Sequence, residues 1–367
     1  RSASSRMSRP AISIQSGGGW TFGSPSVLMM FYRAPGELES ELAEMDECMP
    51  HYYRVTNRHG QGAETIMRAE ALFCQGHVTD AHIELERAYA QVGGNGQINM
   101  ALCCDFLSWR LSLHTDVERR YTFSERYAAL LRYHDASWIN IWSATSAYYH
   151  ALRGETDKIP EIFSQHRLSD IHLLAPGKPM MEMIENQVYL AQGAYAKVVV
   201  RSAELLAACE AMHYALVALH IRIQTAAAYA RLGKPETAHT WLQKALSDAG
   251  PDGLVMPFAE NYSLLKPLLA RETRSAFAAR ITALGEAAQA RGAERLRPAA
   301  FRALTAREFE IVELMVQRLS NREIAQKCYL SEGSVKQYVN QIYSKLHIEG
   351  DTRTKRAQLA ALLHEKT

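Results

Sequence analysis

One stretch near the C-terminus has polar and basic side chains at helical spacing, an arrangement suited to hydrogen-bonding phosphates and base edges. Apolar residues recur there at intervals of 4, 3 and 4 and so share one helix face: Val335, Val339, Ile342 and Leu346. The opposite face carries Lys336, Gln337, Asn340, Gln341 and Ser344. Lysine and side-chain amides are donors that contact DNA backbones and grooves. The spacing therefore predicts a helix with one buried face and one face able to contact nucleic acid.

Capping signals mark the start of this helix and of the two helices before it. Thr305 stands three residues before Glu308, and Ser320 stands three before Glu323. This is the capping-box spacing, in which a hydroxyl and a carboxylate each accept a backbone amide of the other residue. Ser331 is placed to cap the third helix. Two short helices joined by a tight turn, the second with polar residues outward, indicate a helix-turn-helix.

Four segments in this order resemble the LuxR/FixJ-type DNA-binding domain over its whole length: Leu304-Thr-Ala-Arg-Glu308, Leu319-Ser-Asn-Arg-Glu-Ile-Ala325, Leu330-Ser-Glu-Gly-Ser-Val-Lys336 and Ile342-Tyr-Ser-Lys-Leu346. The resemblance implies a four-helix domain with Glu332–Leu346 as its recognition helix. It implies that three residues face the major groove: Ser334, Val335 and Lys336. It implies that four others lie near phosphates: Asn321, Arg322, Tyr338 and Lys345. Ser331 and Asn340 complete the predicted DNA-binding set.

The resemblance also implies partners: double-stranded DNA, a second copy of the chain on that DNA, and RNA polymerase as a further candidate. The chain departs from the family pattern at Glu349–Thr354, a segment inserted before Lys355. The start of the fourth helix, and any dimer contact it makes, therefore stays open. Two alternatives also stay open: a helical hairpin that merely ends the preceding array, and a helix-turn-helix that binds protein. The outward Lys336 argues against the second.

The middle of the chain is helical in pattern and repetitive. Apolar segments end at Gly76, Gly154, Gly193 and Gly233, at intervals of 78, 39 and 40 residues. The 78-residue interval is twice 39, and its midpoint is Thr115. We therefore expect five helix pairs that recur about every 39 residues. Glycine ends a helix because it adopts the left-handed conformation without a Cβ penalty. The pattern looks like a tetratricopeptide-type superhelix with lengthened repeats, and it fits least well in the second and third repeats.

Aromatic residues concentrate in those two repeats. Ten of the 32 Phe, Trp and Tyr residues lie between Phe106 and Tyr149. Trp138 and Trp142 are four residues apart and share a helix face. Together with Trp109 they form a candidate effector pocket, in which flat rings stack on a small molecule. The alternative is ordinary packing between repeats, which also requires large side chains.

The body has a looser resemblance to the C-terminal half of MalT-like regulators, carried by Gly23-Ser-Pro-Ser-Val-Leu28, Arg33-Ala-Pro-Gly36 and the Ala69-Glu-Ala-Leu72 repeat that leads to Gly76. In those proteins an ATPase of the STAND class precedes a helical-repeat sensor and a LuxR-type domain. The GxxxxGK[ST] motif is missing from this sequence, so ATP binding does not carry over. A small-molecule inducer or a protein partner of the repeats is implied.

Composition narrows the function classes. The apolar fraction is 47%, the charged fraction 22% and the net charge +2, which is ordinary for a globular chain. Residues Phe301–Thr367 contain 11 Lys and Arg against 8 Asp and Glu, a mildly basic end. The five-residue apolar run Val27–Phe31 is far shorter than the roughly 20 residues that span a membrane. The six cysteines form no CxxC pair, and HExxH and GxSxG motifs are missing. We expect a cytoplasmic protein with reduced thiols, no metal, no cofactor, no membrane contact and no enzymatic activity.

These observations predict an all-α protein. A tail with a possible short β-hairpin spans residues 1–36, since Ala11–Gln15 alternates and Gly17–Gly19 precedes Trp20. A tetratricopeptide-like sensor spans 37–291, a linker 292–303 and the LuxR-type domain 304–367. The predicted function is DNA-binding transcriptional regulation controlled by a ligand or partner of the repeats. The rivals are an adaptor whose terminal domain binds protein, and an enzyme within the superhelix.

Overall fold

The computed structural model describes residues 23–93, 97–116, 119–132, 136–295 and 299–364. These residues form α-helices and short 3-10 turns, with no β-strand among them. The all-α prediction is confirmed. The predicted hairpin over Ala11–Phe22 lies outside the described residues. The chain divides into two compact units between Ala288 and Gln289.

The first unit, here called the repeat unit, contains helices of very unequal length. They are α1 Leu28–Phe31, α2 Leu38–Val55, α3 Ala63–Cys74, α4 Val78–Gly93, α5 Ile98–His114, α6 Phe123–Leu130, α7 Ala136–Leu152, α8 Glu161–Ser164, α9 Lys178–Ala191, α10 Tyr195–Met212, α11 Ala215–Arg231, α12 Pro235–Ala249, α13 Met256–Ala259, α14 Tyr262–Leu269 and α15 Ala276–Arg295. Short 3-10 turns occupy Thr156–Lys158, Leu168–Asp170 and Ala175–Gly177. The division between the units falls within α15.

The repeat pattern corresponds to helix pairs that meet at glycines. Gly76, Gly154, Gly193 and Gly233 all have φ between +70° and +82°. At Gly193 a Cβ would meet no atom within 4 Å, so the glycine serves the backbone conformation alone. At Gly76 a Cβ would also lie 2.9 Å from Val255 Cγ2, so this position requires glycine for packing as well.

The second and third repeats depart from the pattern, as the sequence indicates. The second helix of the second pair, α6, has only eight residues. In the third repeat, α8 and three 3-10 turns replace a long second helix. Equivalent positions show the same difference, because Ala81 and Val198 are fully buried whereas Arg120 is exposed. The irregular segment leaves α7 in contact with α9 directly.

The first helices of the pairs form the interior. In the order α3, α5, α7, α9 and α11, each packs against the next, and α13 packs on both α3 and α11. The series therefore closes on itself within the repeat unit. In α5 and α11, buried residues occur on every side of the helix. A helix that is apolar all round is one that neighbours cover on all faces.

Two consecutive residues after α13 complete this closure. The Glu260 carboxylate accepts two hydrogen bonds from the Arg110 guanidinium, at 2.8 and 2.9 Å, and both side chains are buried. Tyr148 donates to the same carboxylate at 3.2 Å. The Asn261 side chain accepts from Gln187 at 3.0 Å. Burial alone would raise the pKa of Glu260, but the Arg110 charge and hydrogen bonds lower it, so the pair is ionised.

The second unit, here called the helix-turn-helix unit, has its own core. Its helices are α16 Ala306–Val316, α17 Asn321–Cys328, α18 Glu332–Lys345 and α19 Thr352–His364, preceded by a 3-10 turn at Ala299–Phe301. Helix α16 packs on the other three. The linker prediction for 292–303 differs from the structure, since α15 continues to Arg295 and Phe301 is fully buried in this core.

Candidate nucleic-acid interface

Side-chain caps fix where the helices of the helix-turn-helix unit begin. The Thr305 hydroxyl accepts the Glu308 amide at 3.2 Å, while the Glu308 carboxylate accepts the Thr305 amide at 2.7 Å. Ser320 and Glu323 form the same reciprocal pair, with hydrogen bonds of 3.3 and 2.7 Å. The Ser331 hydroxyl accepts an amide one turn into α18, at 3.0 Å. The predicted capping boxes are therefore present, and they hold α17 and α18 at a fixed turn.

Two arginines support the turns around these helices. The Arg307 guanidinium donates to the carbonyl oxygen of Cys328, the last residue of α17. Arg356 on α19 donates to the carbonyl oxygen of Leu319, just before α17, at 3.2 Å. The first bond satisfies a carbonyl that the end of a helix leaves free, and the second satisfies a carbonyl in the loop between α16 and α17. Nothing in the local sequence marks these contacts, because they join residues 21 and 37 positions apart.

The outward face of α18 carries the polar residues that the spacing places there. Exposed there are Lys336, Gln337, Asn340, Gln341 and Ser344, and Glu332, Gly333 and Lys345 at the two ends of the helix are exposed as well. Val335 and Ile342 are fully buried on the other face. Arg322, in the first turn of α17, is also exposed. Across the described ranges, no carboxylate lies within ion-pair distance of Lys336 or Arg322, so both cations are available to an anionic partner.

The prediction that Val335 contacts DNA is wrong. Val335 has no exposed surface and packs in the core of the helix-turn-helix unit, so its side chain cannot reach a groove. The resemblance placed it beside Lys336, but adjacent helical residues point about 100° apart. Ser334 is half-buried, and its hydroxyl lies 2.8 Å from that of Ser331. Asn321 and Tyr338 are also half-buried, whereas Asn340 is exposed.

Lys345 has a structural partner that the sequence reasoning missed. Its ammonium donates to the buried Glu308 carboxylate at 2.8 Å. Burial alone would raise the pKa of Glu308, but the hydrogen bonds from Lys345 and Thr305 lower it. Lys345 thus joins the end of α18 to the start of α16, and any phosphate contact would compete with this bond.

The inserted segment contains the start of the fourth helix. Asp351 Oδ1 accepts the Thr354 amide at 2.8 Å, which is an N-cap contact. Helix α19 begins at Thr352.

A second feature that the sequence reasoning missed is Tyr329, at the turn between α17 and α18. It has φ +55° and is 96% exposed, an unusual combination for a large aromatic residue.

The three tryptophans of the candidate effector pocket have different surroundings. Trp109 is buried and stacks on Phe123 with ring centroids 3.2 Å apart. Trp142 is half-buried, and its indole nitrogen donates to the Phe123 carbonyl at 3.1 Å. Trp138 is buried in the main core and is not part of the same cleft. The gap between these side chains is too narrow to admit a water molecule, and it also borders the ion pair of Asp105 and Arg126.

The described residues include neither a membrane-spanning helix nor a cluster that could hold a metal ion. Within them, no helix is long and apolar enough to cross a membrane. In the same part of the chain, no three His, Cys, Asp or Glu side chains converge to hold a metal ion.

Comparison with known proteins supports the helix-turn-helix unit. Residues 302–357 match the family model described as GerE, bacterial regulatory proteins, luxR family. The transcriptional regulatory protein LnrK of Bacillus subtilis (strain 168) is 44% identical over 50 residues, which cover 14% of this chain and 23% of LnrK. No solved structure matches. The resemblance of the repeat unit to MalT-like regulators is not confirmed. The C-terminal unit is a LuxR-type helix-turn-helix domain.

Proposed function

We propose that this protein is a DNA-binding transcriptional regulator in which the helix-turn-helix unit binds operator DNA. The observation that carries the proposal is the outward face of α18, where Lys336 and Asn340 are exposed. Arg322 adds a second available cation at the start of α17. The side-chain caps of α17 and α18 fix where the helices that carry these groups begin. LnrK, which is 44% identical to this chain over 50 residues, is itself named a transcriptional regulatory protein.

The helix-turn-helix geometry assigns different roles to these residues. Side chains in the first turns of a recognition helix contact base edges, and the preceding helix crosses the phosphate backbone. Lys336 therefore contributes to sequence preference, and Arg322 to affinity for DNA of any sequence. We also propose that two copies bind two half-sites, as helix-turn-helix proteins commonly do. Such a protein acts where the chromosome is, in the cytoplasm, and RNA polymerase is a further candidate partner.

The test is binding of the full chain to genomic DNA fragments, followed by sequencing of the bound fraction. The affinity should fall steeply between about 50 and 200 mM salt, because phosphate contacts release counterions. Lys336→Ala should cost about 1–3 kcal/mol at selected sites and relax their consensus.

The matched control is Lys327→Ala, since Lys327 is also an exposed lysine and lies on α17. Lys327 lies near the far end of that helix from Arg322. Equal losses for both lysines would show that the wrong face has been assigned. Absence of any DNA binding, with the fold intact, would favour the adaptor that binds protein.

We further propose that the repeat unit senses a small molecule or a protein partner, with the rings of Trp109 and Trp142 as the predicted small-molecule site, which must open to admit a ligand because the gap between them is closed in this structure. An aromatic wall beside a charged pair is typical of pockets for small ligands. Trp142→Ala should abolish a ligand response while the unit stays folded. Trp138→Ala is the contrasting variant and should cost about 3–5 kcal/mol, because its ring fills the core. Thermal melts of both variants, beside DNA binding with small-molecule pools, distinguish a pocket from packing.

A further inference from the structure

A nine-residue segment ahead of the repeats lies inside the repeat unit. This segment, Ser24–Tyr32, is here called the strap and includes α1. All of its residues are buried except Phe31, which is half-buried. Val27 and Met29 have no exposed surface. The surface that inner helices of a repeat array usually present to ligands is therefore occupied by the chain itself.

The strap touches four of the five inner helices through polar atoms. On α3, Glu70 Oε2 accepts the Leu28 amide at 2.7 Å. On α5, the Cys103 thiol lies 3.8 Å from the Ser24 carbonyl oxygen. On α9, the Met180 sulfur lies 2.5 Å from the Ser24 hydroxyl. On α11, the Ala215 amide donates to the Tyr32 carbonyl at 3.1 Å. These helices come from four different repeats, so the strap fills the space that they enclose.

The strap also satisfies much of its own backbone. The Ser24 hydroxyl accepts the Ser26 amide at 3.1 Å, and the Ser26 hydroxyl accepts the Met29 amide at 3.2 Å. The Tyr32 amide donates to the Leu28 carbonyl at 2.9 Å. Because these bonds lie within the segment, they persist when the segment moves as one piece.

The series of inner helices is closed by contacts that do not involve the strap. Glu260 and Asn261 reach the side chains of Arg110 and Gln187 on α5 and α9. Gln187 in turn accepts a hydrogen bond from Gln224 on α11, at 3.0 Å. None of these bonds uses an atom of the strap.

A hydrogen bond between two side chains helps to fasten the C-terminal end of the strap. The Tyr32 hydroxyl donates to Asp252 Oδ2 at 2.5 Å, in the loop between α12 and α13. The same carboxylate accepts the Gly36 amide at 2.5 Å. Beyond this point Pro35, Gly36 and Glu37 are exposed, so the chain leaves the interior here.

We propose that the strap is a displaceable occupant of the inner face, which leaves as one piece while the inner helices stay closed around Arg110 and Glu260. The inner face is then a latent surface that becomes accessible only when Ser24–Tyr32 moves out. A ligand of that face competes with the strap, and the hydrogen bond between Tyr32 and Asp252 favours the strap. This inference concerns the repeat unit alone and stands whether or not the second unit binds DNA.

Two adjacent cysteines provide the test in the unmodified full chain. The Cys103 thiol lies 3.8 Å from the Ser24 carbonyl oxygen of the strap, whereas Asp105 is the charged group that most affects Cys104, followed by Glu70, and neither thiol is exposed. Short pulses of iodoacetamide under native conditions, with mass spectrometry of each site, report how often each thiol becomes accessible. We expect Cys103 to be modified several times faster than Cys104, because strap opening uncovers only Cys103.

Tyr32→Phe should sharpen the difference, because it removes the hydroxyl that binds Asp252. We expect the Cys103 rate to rise about tenfold, the size of a lost hydrogen bond to a charged group, with the Cys104 rate unchanged. The control is Tyr262→Phe, whose hydroxyl donates to Glu286 at 3.1 Å outside the strap, and it should leave both rates unchanged. Equal modification of Cys103 and Cys104 in the wild-type chain would overturn the proposal, since it would mean that only global unfolding exposes them.

Discussion

The helices of the helix-turn-helix unit and the inner helices of the repeat unit have their starts defined by different means. In the helix-turn-helix unit, hydroxyls of Thr305, Ser320 and Ser331 cap the starts of the helices. The inner helices α3, α5, α9 and α11 of the repeat unit begin without a side-chain cap. The smaller unit has little core, so local hydrogen bonds must specify its helices. The larger unit buries its inner helices on all sides, and burial takes the place of caps.

Helix ends show the reverse contrast. Four pairs of the repeat unit turn at glycines with positive φ. In the helix-turn-helix unit the positive-φ residues that follow α16, α17 and α18 are Arg318, Tyr329 and His347. A left-handed conformation costs about 1 kcal/mol or more for such residues. The four glycine turns of the repeat unit thus use the residue that the backbone prefers, although α8 and α10 of the same unit are followed by His166 and His213 with φ +56° and +57°. The helix-turn-helix unit has such strain at three exposed turns.

The largest expected effect tests whether buried charge holds the repeat unit together. Arg110→Ala leaves the Glu260 carboxylate buried without its partner and should cost about 3–5 kcal/mol in the free energy of unfolding. Arg110→Met with Glu260→Leu should recover most of that loss, because well-packed apolar groups replace a buried ion pair at little cost. Chemical denaturation of the full chain measures both.

The control for this prediction is an exposed ion pair of the same unit. Arg68 and Asp46 are about half exposed and lie 2.7 Å apart. Arg68→Ala should change stability by less than about 1 kcal/mol, because water screens the pair. A similar loss for Arg68→Ala and Arg110→Ala would contradict the assignment of stability to buried charge.

The next effect in size is a pH dependence at the strap. Burial raises the pKa of Glu70 to about 7, although the Leu28 amide opposes the shift. The folded state therefore binds the proton more tightly than the unfolded state, whose value is 4.5. The stability that this proton contributes is complete below pH 4.5 and is lost as the pH rises through 7. Glu70→Gln retains an acceptor for the Leu28 amide and should remove this loss, up to about 3 kcal/mol at about 1.4 kcal/mol per unit of pKa.

Melts of wild type and Glu70→Gln at pH 5 and pH 8 measure the effect as a difference. Burial lowers the pKa of His220 to about 3, so acid below about pH 6.5 destabilises the repeat unit through that group. His220 is present in both proteins, and its contribution cancels when the two are compared. A constant gap between the two proteins across this range would show that Glu70 has an ordinary pKa.

Features that depend on residues close in sequence could be predicted, whereas those that depend on distant residues could not. Hydroxyl, carboxylate and apolar spacing predict the helix-turn-helix because each cap acts within three residues. The glycine period predicts the helix pairs for the same local reason. The strap and the Glu260–Arg110 pair were not predicted, because they join residues 42 to 156 positions apart and have no local signature. Val335 was misjudged and the Glu308 partner of Lys345 was not foreseen, because a motif gives position, whereas burial and pairing depend on the packed core.

A smaller effect is expected at the caps of the helix-turn-helix unit. Thr305→Ala removes the acceptor for the Glu308 amide and should cost about 1 kcal/mol. Thr305→Ser retains the hydroxyl and should stay near wild type. Hydrogen exchange of α16 amides in the full chain measures the local loss. Faster exchange in the inner helices as well would show that this cap supports more than its own unit.

The smallest effect is a gain at the turn before α18. Tyr329 is 96% exposed with φ +55°, so Tyr329→Gly loses little packing and relieves a strained backbone. We expect the helix-turn-helix unit to gain about 0.5 kcal/mol, since the relief exceeds the entropy cost of glycine only slightly. His347→Gly is the matched variant, because His347 is also exposed and has φ +53°. Hydrogen exchange should show similar small gains for both. If Tyr329→Gly alone also weakens DNA binding, the aromatic side chain contacts the partner, and the strain at this turn is retained for that contact rather than for the fold.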